Sequence, residues 1–531
     1  MKKLYIYIMA LGIAATASSC SDSFLDTEPI TTITDANFYK TVEDADLALV
    51  GCYDGVQQIY ANGVAFPVAS EVMSDNCFGA TGNNDALGYQ VMDELDLSRS
   101  PGEVNLLDAT WAAYYKAIYR VNVLLQKMDQ IDWTGQEDYR NVVEAQARFL
   151  RAYSYFDMVR LWERVPLVTE PTDENVPQSE PDAIYAQITE DLLYAAEFGS
   201  ETVEAGRINK WVAKAYLARV YMFYTGYYGA ADLVGQATKA EVLQGLEDVI
   251  SEGAYELVAD YKNLWPAASS TINTAGDGLE TTYAGKDNSE TIFAIKYNIT
   301  SDYDGNVDGN QWLVMLGLRS QSFSPYGKGW GACTVLPSLY NAYEAGDTRR
   351  EASIIGINEE ALDFDNSDQR EYTGYTNKKY TPLANPDGQD VSEANGSTNF
   401  QIGQYQDFVV MRYADVLLMA AELGSGSAQS YFDQVRTRSG LASKPATVTN
   451  ILEERRLEFA FEGIRYWDLL RQGVDAAASK LAFSGTVENG GVATPKTIAA
   501  TNVQTTRGLL MIPQNQITRS AGVLTQNEGW K

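Results

Sequence analysis

The chain has 531 residues, 45% of them hydrophobic and 11% aromatic, including 34 tyrosines. Its 71 acidic residues outnumber its 40 basic residues, which gives a formal net charge of −31 and disfavours nucleic acid as a partner. The sequence contains no histidine, so Ser-His-Asp catalysis and His-ligated zinc are excluded. The length exceeds that of one ordinary core, so we expect two lobes or one extended helical array.

The N-terminus is predicted to be a targeting segment. Lys2 and Lys3 precede an apolar run from Leu4 to Ala15, which has the length of a secretory signal and is too short for a membrane span. Small residues then lead directly to Cys20, as in a lipobox, although Ala17 stands where Leu is usual. We therefore predict a signal peptide at 1–19 and a lipidated tether at 20–40; the alternative is an ordinary secretory signal with an unmodified cysteine.

The segments 41–265 and 406–531 are predicted to be mostly helical. Apolar and aromatic residues recur every three to four positions within 110–128, 142–162, 182–199 and 208–229, and Gly199 marks a helix end. The spacing of about 30 residues between these helices favours tetratricopeptide-like (TPR-like) hairpins, which must stack to bury their apolar faces. Helices are predicted again at 413–424 and 450–473.

The segment 266–405 differs from its flanks. Gly, Asn, Asp, Ser and Thr become frequent, the helical period fades, and "ETIFAIKYNI" has the pattern of a short strand. Long loops with short strands are where binding sites tend to lie, so this segment is predicted to be the ligand-binding region. The remaining cysteines, Cys52, Cys77 and Cys333, are odd in number and widely spaced, which favours buried free thiols over disulfides or a metal site.

Four ordered blocks of sequence carry a resemblance to a known family. The blocks are "AQARFLRAYSYFDMVRLWERVPLV" (145–168), "VVMRYADVLLMAAE" (409–422), "ILEERRLEFAFEGIRYWDLLRQG" (451–473) and "MIPQNQI…LTQNEGW" (511–530). Together with the lipoprotein-like start they resemble the SusD/RagB family. The resemblance implies a TPR-like scaffold with a loop-rich ligand-binding half. It also implies a non-enzymatic lipoprotein on the surface of the outer membrane, partnered with a SusC-like TonB-dependent transporter, that binds oligosaccharides for import.

Sugar binding would depend on aromatic rings and amides in loops. Flat rings stack on the C–H face of a sugar, and polar side chains bond its hydroxyls. Three loop stretches offer such residues, although for each aromatic a core position remains the alternative. The candidate ligand contacts are Trp330, Trp312, Tyr326, Tyr303, Phe78, Asn76 and Tyr89.

Two acidic patterns have structural alternatives. Glu454, Glu458 and Glu462 share one predicted helix face with nearby arginines, so a salt-bridged packing surface is favoured over the paired carboxylates of a glycosidase. Asp302, Asp304 and Asp308 suggest a calcium loop, but Val307 occupies the position where an EF-hand needs Gly. A polar turn is favoured there, a looser calcium site stays open, and no other cofactor is predicted.

The functional hypothesis is therefore a glycan-binding uptake lipoprotein. One alternative is a peptide-binding uptake protein of the same fold, since the RagB side of the family is associated with peptides. The other is a surface glycoside hydrolase.

Overall fold

The computed structural model describes residues 38–61 and 65–530. The predicted signal peptide, Cys20 and most of the predicted tether lie outside the described residues. Within the described part of the chain, no helix combines the length and apolarity needed to span a bilayer.

Helices dominate the segment from 42 to 252, as predicted. They are α1 (Val42–Ile59), α2 (Phe66–Val72), α3 (Gly88–Glu94), α4 (Asp108–Lys127), α5 (Glu137–Trp162), α6 (Pro181–Phe198), α7 (Lys210–Tyr228) and α8 (Lys239–Glu252). From α5 to α8 each helix packs against the one before it, and α1 packs against α4. This arrangement confirms the TPR-like helical scaffold. Thr41 and Thr238 close capping boxes at α1 and α8, which satisfies free N–H groups of the first turn.

The loop-rich segment contains only short elements. Its helices are α9 (Pro266–Ser269), α10 (Gln311–Leu316), α11 (Pro337–Tyr340), α12 (Arg349–Ser353) and α13 (Val391–Ala394). The strands of the first 405 residues are β1 (Cys77–Gly79), β2 (Ser270–Ile272), β3 (Leu279–Thr281), β4 (Thr291–Ile295), β5 (Leu318–Arg319), β6 (Lys328–Gly329), β7 (Cys333–Val335), β8 (Ile354–Gly356) and β9 (Tyr375–Asn377). Strand β4 lies within the segment predicted to be a strand.

The C-terminal segment returns to the scaffold. It comprises β10 (Phe408–Arg412), α14 (Tyr413–Glu422), α15 (Ala428–Arg438), α16 (Val448–Glu458), α17 (Arg465–Leu470), α18 (Val474–Leu481), β11 (Phe483–Asn489), β12 (Val492–Ile498), α19 (Ala500–Thr506) and α20 (Gln514–Arg519). Helix α14 packs against α8 and α15. The four-stranded antiparallel sheet has the order β1-β7-β9-β8, β10 pairs with β4, and β11 and β12 form a hairpin.

The single helix predicted at 450–473 is wrong, because the chain leaves the helix between α16 and α17. Phe461 and Gly463 have φ angles of 68° and 73°, in the left-handed region that ends a helix. The N–H of Gly463 donates a hydrogen bond of 2.7 Å to the buried carboxylate of Glu71 on α2. A tertiary contact therefore fixes a break that the apolar period of this segment does not show.

The three acidic residues of this segment lie in a buried salt-bridge network. Glu454 pairs with Arg349, and Glu458 and Glu462 both pair with Arg412, at N–O distances of 2.6–3.0 Å. Burial alone would raise the pKa of Glu458, but Arg438, Arg412 and Arg349 hold it far below its usual value. The packing interpretation of these carboxylates is confirmed. Cys52, Cys77 and Cys333 are buried and free, also as predicted.

Candidate ligand-binding site

An open cavity of about 490 Å³ lies between the loop after β1, the start of α4 and the segment after β6. Its walls bring together two of the predicted contact residues, Trp330 and Tyr89, which are about 240 positions apart in the sequence. Met315, at the end of α10, adds an apolar side chain beside them. Trp330 is partly exposed there, whereas Tyr89 is 2% exposed and belongs to the wall as a buried ring.

Trp330 is anchored through its backbone to the end of α10. Its N–H donates to the carbonyl of Val314 at 2.8 Å, and the N–H of Ala332 donates to the carbonyl of Met315 at 2.7 Å. The preceding Gly329 permits this approach, because a Cβ there would lie 2.3 Å from the Val314 carbonyl oxygen. This tight backbone contact places the indole ring of Trp330 and the side chain of Met315 on the same cavity wall.

The indole ring of Trp330 is partly exposed and is held from the side. The guanidinium of Arg319 lies 5.7 Å from the ring centroid, within the range of a cation–π contact. Arg319 is itself fixed by Asp368, which accepts two hydrogen bonds of 2.8 and 3.0 Å on one carboxylate oxygen. The ring centroid of Phe400 lies 6.4 Å from that of Trp330, and the two ring planes are tilted relative to each other. The ring therefore has few orientations available, and the ordering cost on binding is small.

The loop from Ala80 to Ala86, which forms another wall, is held by a single buried arginine. The guanidinium of Arg370 donates to the carbonyl oxygens of Ala80, Gly82, Asp85 and Ala86 at 2.8–3.3 Å. It also donates to the hydroxyl of Thr81 at 3.1 Å. Because one rigid, planar group makes all these bonds, the loop has a defined shape although it contains no helix or strand.

The polar wall of the cavity is supported by the C-terminal segment. The side-chain oxygen of Asn105 accepts a hydrogen bond of 2.8 Å from the N–H of Asn515. Asp108 accepts from the side-chain amides of Asn515 and Gln516 at 2.9 and 2.7 Å. The "PQNQ" sequence thus fixes the start of α4, and the carboxylate of Asp85, on another part of the wall, lies 3.5 Å from a terminal nitrogen of Arg319.

The structure contradicts the prediction for Trp312. Its side chain is 0% exposed and packs against Tyr380 and Phe408 at ring distances of 5.0 and 5.4 Å. The indole N–H donates to the hydroxyl of Tyr297 at 3.4 Å. Both ring faces are occupied by the core, so Trp312 offers no surface to a ligand.

Asn76, Phe78, Tyr326 and Tyr303 lie outside the walls of this cavity. Asn76 is buried, and its oxygen accepts a hydrogen bond from Arg456. Phe78 is 2% exposed, and the hydroxyl of Tyr326 donates to Glu360 at 2.6 Å from a buried ring. Tyr303 is 68% exposed, on the loop before α10. Packing accounts for Asn76 and Tyr326, Phe78 lies outside this cavity, and Tyr303 stays a prediction.

The acidic loop around Tyr303 uses its carboxylates internally. One oxygen of Asp302 accepts hydrogen bonds from the N–H groups of Asp304 and Asn306 at 2.8 and 3.0 Å, as expected for an Asp-based turn. Asp308 lies near Asn298 and Thr300 instead. In residues 38–61 and 65–530, no group of three or more His, Cys, Asp or Glu residues is placed to hold a metal ion. The turn accounts for Asp302, and calcium is not retained as a proposed ligand.

Sequence and structure comparisons identify the family. Residues 363–530 match the profile described as the SusD family, and residues 23–222 match one described as "Starch-binding associating with outer membrane". A SusD-like protein of Bacteroides ovatus is 26% identical over 499 residues, covering 88% of this chain and 83% of that protein. The solved structure of a laminarin-binding SusD-like protein is 30% identical, with a TM-score of 0.70, over 92% of this chain and 99% of that chain. This chain belongs to the SusD family.

The fold is shared at lower identity as well. Surface glycan-binding protein A from Bacteroides thetaiotaomicron, solved in complex with laminarihexaose, superposes with a TM-score of 0.72 at 23% identity. The match covers 92% of this chain and 100% of that chain. The architecture of the SusD family therefore extends over the whole described scaffold.

The four blocks that carry the SusD resemblance pack against one another and build the scaffold. The indole N–H of Trp162 in the first block donates to the carbonyl of Met511 in the fourth at 3.1 Å. Arg412 in the second block pairs with Glu458 and Glu462 in the third. The "PQNQ" segment of the fourth block contacts residues of the cavity wall. The sequence signature of the SusD family therefore reports the framework and says little about the ligand.

Sequence reasoning missed Arg319, Arg370 and Met315 at this candidate site. Arg319 ends the short strand β5, Arg370 lies in a loop, and neither has a period or motif around it. Their roles arise from contacts with residues far away in the chain, such as Ala80 and Trp330. A signal was available only for the aromatic ring set between glycines in "KGWG".

Proposed function

We propose that this protein binds an oligosaccharide in the cavity beside Trp330, without changing it chemically, and passes it to a TonB-dependent transporter in the outer membrane. The observation that carries the proposal is the partly exposed indole of Trp330, held rigidly on the wall of an open cavity with polar side chains opposite. One face of a pyranose ring is made of C–H groups, which stack on an indole, while its hydroxyls need donors and acceptors around them.

The charge of the cavity supports a neutral ligand. Asp85 and Asp108 are on its walls, and Arg319 is already engaged by Asp368. Acidic oxygens accept hydrogen bonds from sugar hydroxyls but repel a carboxylate or a phosphate. The relative at 30% identity is named for binding laminarin, a neutral β-1,3-glucan, so laminarin fragments are the first probe.

The test is calorimetric titration of laminarihexaose and malto-oligosaccharides into the wild-type chain and into Trp330→Ala. We expect one of these neutral sugars to bind and the affinity to fall roughly tenfold or more in the variant, since an aromatic ring contact contributes about 0.5–1.5 kcal/mol beyond the apolar area it buries. Tyr119→Ala is the matched control, because it removes an exposed ring that is not on the cavity wall. Equal affinities of wild type and Trp330→Ala would remove the site assignment.

The same titrations separate the alternatives. Reducing ends released from the glycan would show a hydrolase, which contradicts the proposal. Binding of oligopeptides with no binding of any glycan would favour the peptide-uptake function of the same fold.

Delivery to a transporter requires attachment at the membrane. If Cys20 is lipidated, Cys20→Ala should release the protein from the outer-membrane fraction while its glycan affinity in solution stays unchanged. A membrane-bound Cys20→Ala variant would contradict the lipid anchor. Copurification of a TonB-dependent barrel with the wild-type protein from mildly solubilised membranes tests the partner.

A further inference from the structure

A second, larger cavity lies on the other side of β1 and shares no residue with the cavity beside Trp330. We call it the hairpin groove; it has a volume of about 840 Å³ and lies between Phe78 on β1, Phe483 and Val487 on the β11–β12 hairpin, and Tyr372. Its floor is a small apolar cluster of Phe78, Val487 and Ile498, which is separate from the main core. The groove therefore has an apolar base of its own.

The ring of Phe483 lies flat along strand β11. A Cβ at Gly485, two residues on and on the same strand face, would lie 2.7 Å from the tip of the Phe483 ring, so the ring covers the glycine backbone. Its edge-to-face contact with Phe78, at 4.9 Å between centroids, fixes it further. The ring is only half-buried and lines the groove, so it provides a fixed stacking surface there.

The rim carries polar side chains that the protein leaves unused. The hydroxyls of Tyr372, Ser338 and Thr486 and the amide of Asn358 line the groove. Across residues 38–61 and 65–530, none of these four side chains has a hydrogen-bond partner in the protein. Unused donors and acceptors above an aromatic floor are what a ring with C–H faces and hydroxyls requires.

Two cations at the same rim determine which ligand charge the groove prefers. Lys480 lies on the rim, is exposed and has no ion-pair partner within the described part of the chain. Arg456 is held through Nε and one terminal nitrogen, by Asn76 and the carbonyl of Asp75, both at 2.9 Å. Its nearest carboxylate, on Asp75 at 3.5 Å, is bound more tightly by Arg465, at 2.6 Å. Glu488 is the other acid of the groove, and its carboxylate accepts a hydrogen bond from Asn366.

We propose that the hairpin groove is a second saccharide-binding site, specific for a sugar unit that carries a carboxylate, such as a uronic acid. The ring stacks on Phe483, its hydroxyls bond to the rim, and its carboxylate binds between Lys480 and the free terminal nitrogen of Arg456. The site goes beyond the neutral-glycan site of the proposed function, because it uses other residues and the opposite preference for charge.

The test is a glycan array that contains neutral oligosaccharides and uronic-acid oligosaccharides of several linkages, probed with the full chain and its variants. We expect at least one uronic-acid glycan to bind, and its affinity to fall about tenfold in both Lys480→Gln and Phe483→Ala. The loss in Lys480→Gln, but not that in Phe483→Ala, should shrink as salt rises, since a charge pair is screened. Lys239→Gln, which removes another exposed lysine with no ion pair in the described structure, is the matched control and should bind as the wild type does.

The failure of this inference is distinguishable from failure of the proposed function. Uronic-acid binding that survives Trp330→Ala supports the groove, whatever happens to neutral glycans. No binding of any uronic-acid glycan, or binding lost in Trp330→Ala and kept in Lys480→Gln, overturns the inference. If Phe483→Ala does not fold, as judged by thermal unfolding, Lys480→Gln alone decides, because its side chain is exposed and unpaired.

Discussion

Buried arginines have different partners in the scaffold and around the candidate site. In the scaffold, Arg412 is 2% exposed and meets three carboxylates, those of Glu290, Glu458 and Glu462. At the site, Arg370 is just as buried but meets only backbone carbonyls and one hydroxyl of a loop. The first arrangement joins elements from distant parts of the chain, and the second gives shape to a loop. Removing each arginine should therefore have different consequences.

Arg412→Met should give the largest effect, a loss of about 3–5 kcal/mol in the free energy of unfolding. The variant removes one cation from three buried carboxylates, which keep Arg438, Arg349 and Lys379 as partners, and breaking part of a buried ion network is costly. Denaturant unfolding measures the loss. Arg140→Met is the control, because it breaks an exposed pair with Asp129 and should change stability by no more than about 0.5 kcal/mol. Similar losses in the two variants would mean that the buried network is not what stabilises the scaffold.

Glu71→Gln tests a buried carboxylate of the scaffold that does not pair with an arginine. Burial raises the pKa of Glu71 to about 8 despite the hydrogen bond from Gly463. The folded state therefore keeps a proton that the unfolded state has lost, and wild-type stability should fall as pH rises from about 4.5 to about 8, by up to about 1.4 kcal/mol per pH unit.

Glutamine mimics the protonated acid, so the variant should gain stability relative to wild type as pH rises through this window. Denaturant unfolding at pH 5, 6.5 and 8 measures the difference. The exposed Glu252→Gln should run parallel to wild type. Parallel curves for Glu71→Gln as well would contradict the assigned titration.

Arg370→Ala should weaken glycan binding about tenfold or more through the loop it holds. Four carbonyls of 80–86 would lose their donor, and the loop would sample other shapes that bind less well. Calorimetry with the neutral glycan measures the affinity, and hydrogen exchange of the loop amides reports the loss of order. Unchanged exchange with a lower affinity would mean that Arg370 acts by some other route.

Gly82→Ala should have the smallest effect, an affinity loss of about two- to threefold with no change in unfolding temperature. The added methyl group would lie 2.3 Å from a terminal nitrogen of Arg319, which must move away from its position beside Trp330. Arg319 would give up its pair with the exposed Asp368, and a surface ion pair contributes little to stability, so the fold should not suffer. A tenfold loss would show that Arg319 contacts the ligand itself.

The sequence predicted the scaffold well, because the apolar period that defines each helix is a local property of the chain. Apolar periods within one helix, as in 142–162 or 208–229, state which face is buried before any partner is known. The same reasoning failed for Trp312, because an aromatic residue after a polar loop has the same local pattern whether it points outward or into the core. It failed again at 450–473, where Glu71 binds the chain at Gly463 and interrupts the helix.

For the candidate site, the sequence by itself determined that aromatic residues lie in glycine-rich stretches, Trp330 among them, and it left open whether each ring faces solvent or the core. The tertiary structure decided which rings face solvent, and it brought Tyr89, Trp330 and the start of α4 to one cavity. The physical reason is that a loop has no repeating pattern of its own. Its shape is set by side chains such as Arg370 and Arg319, whose partners lie far away in the sequence and become neighbours only after the scaffold has folded.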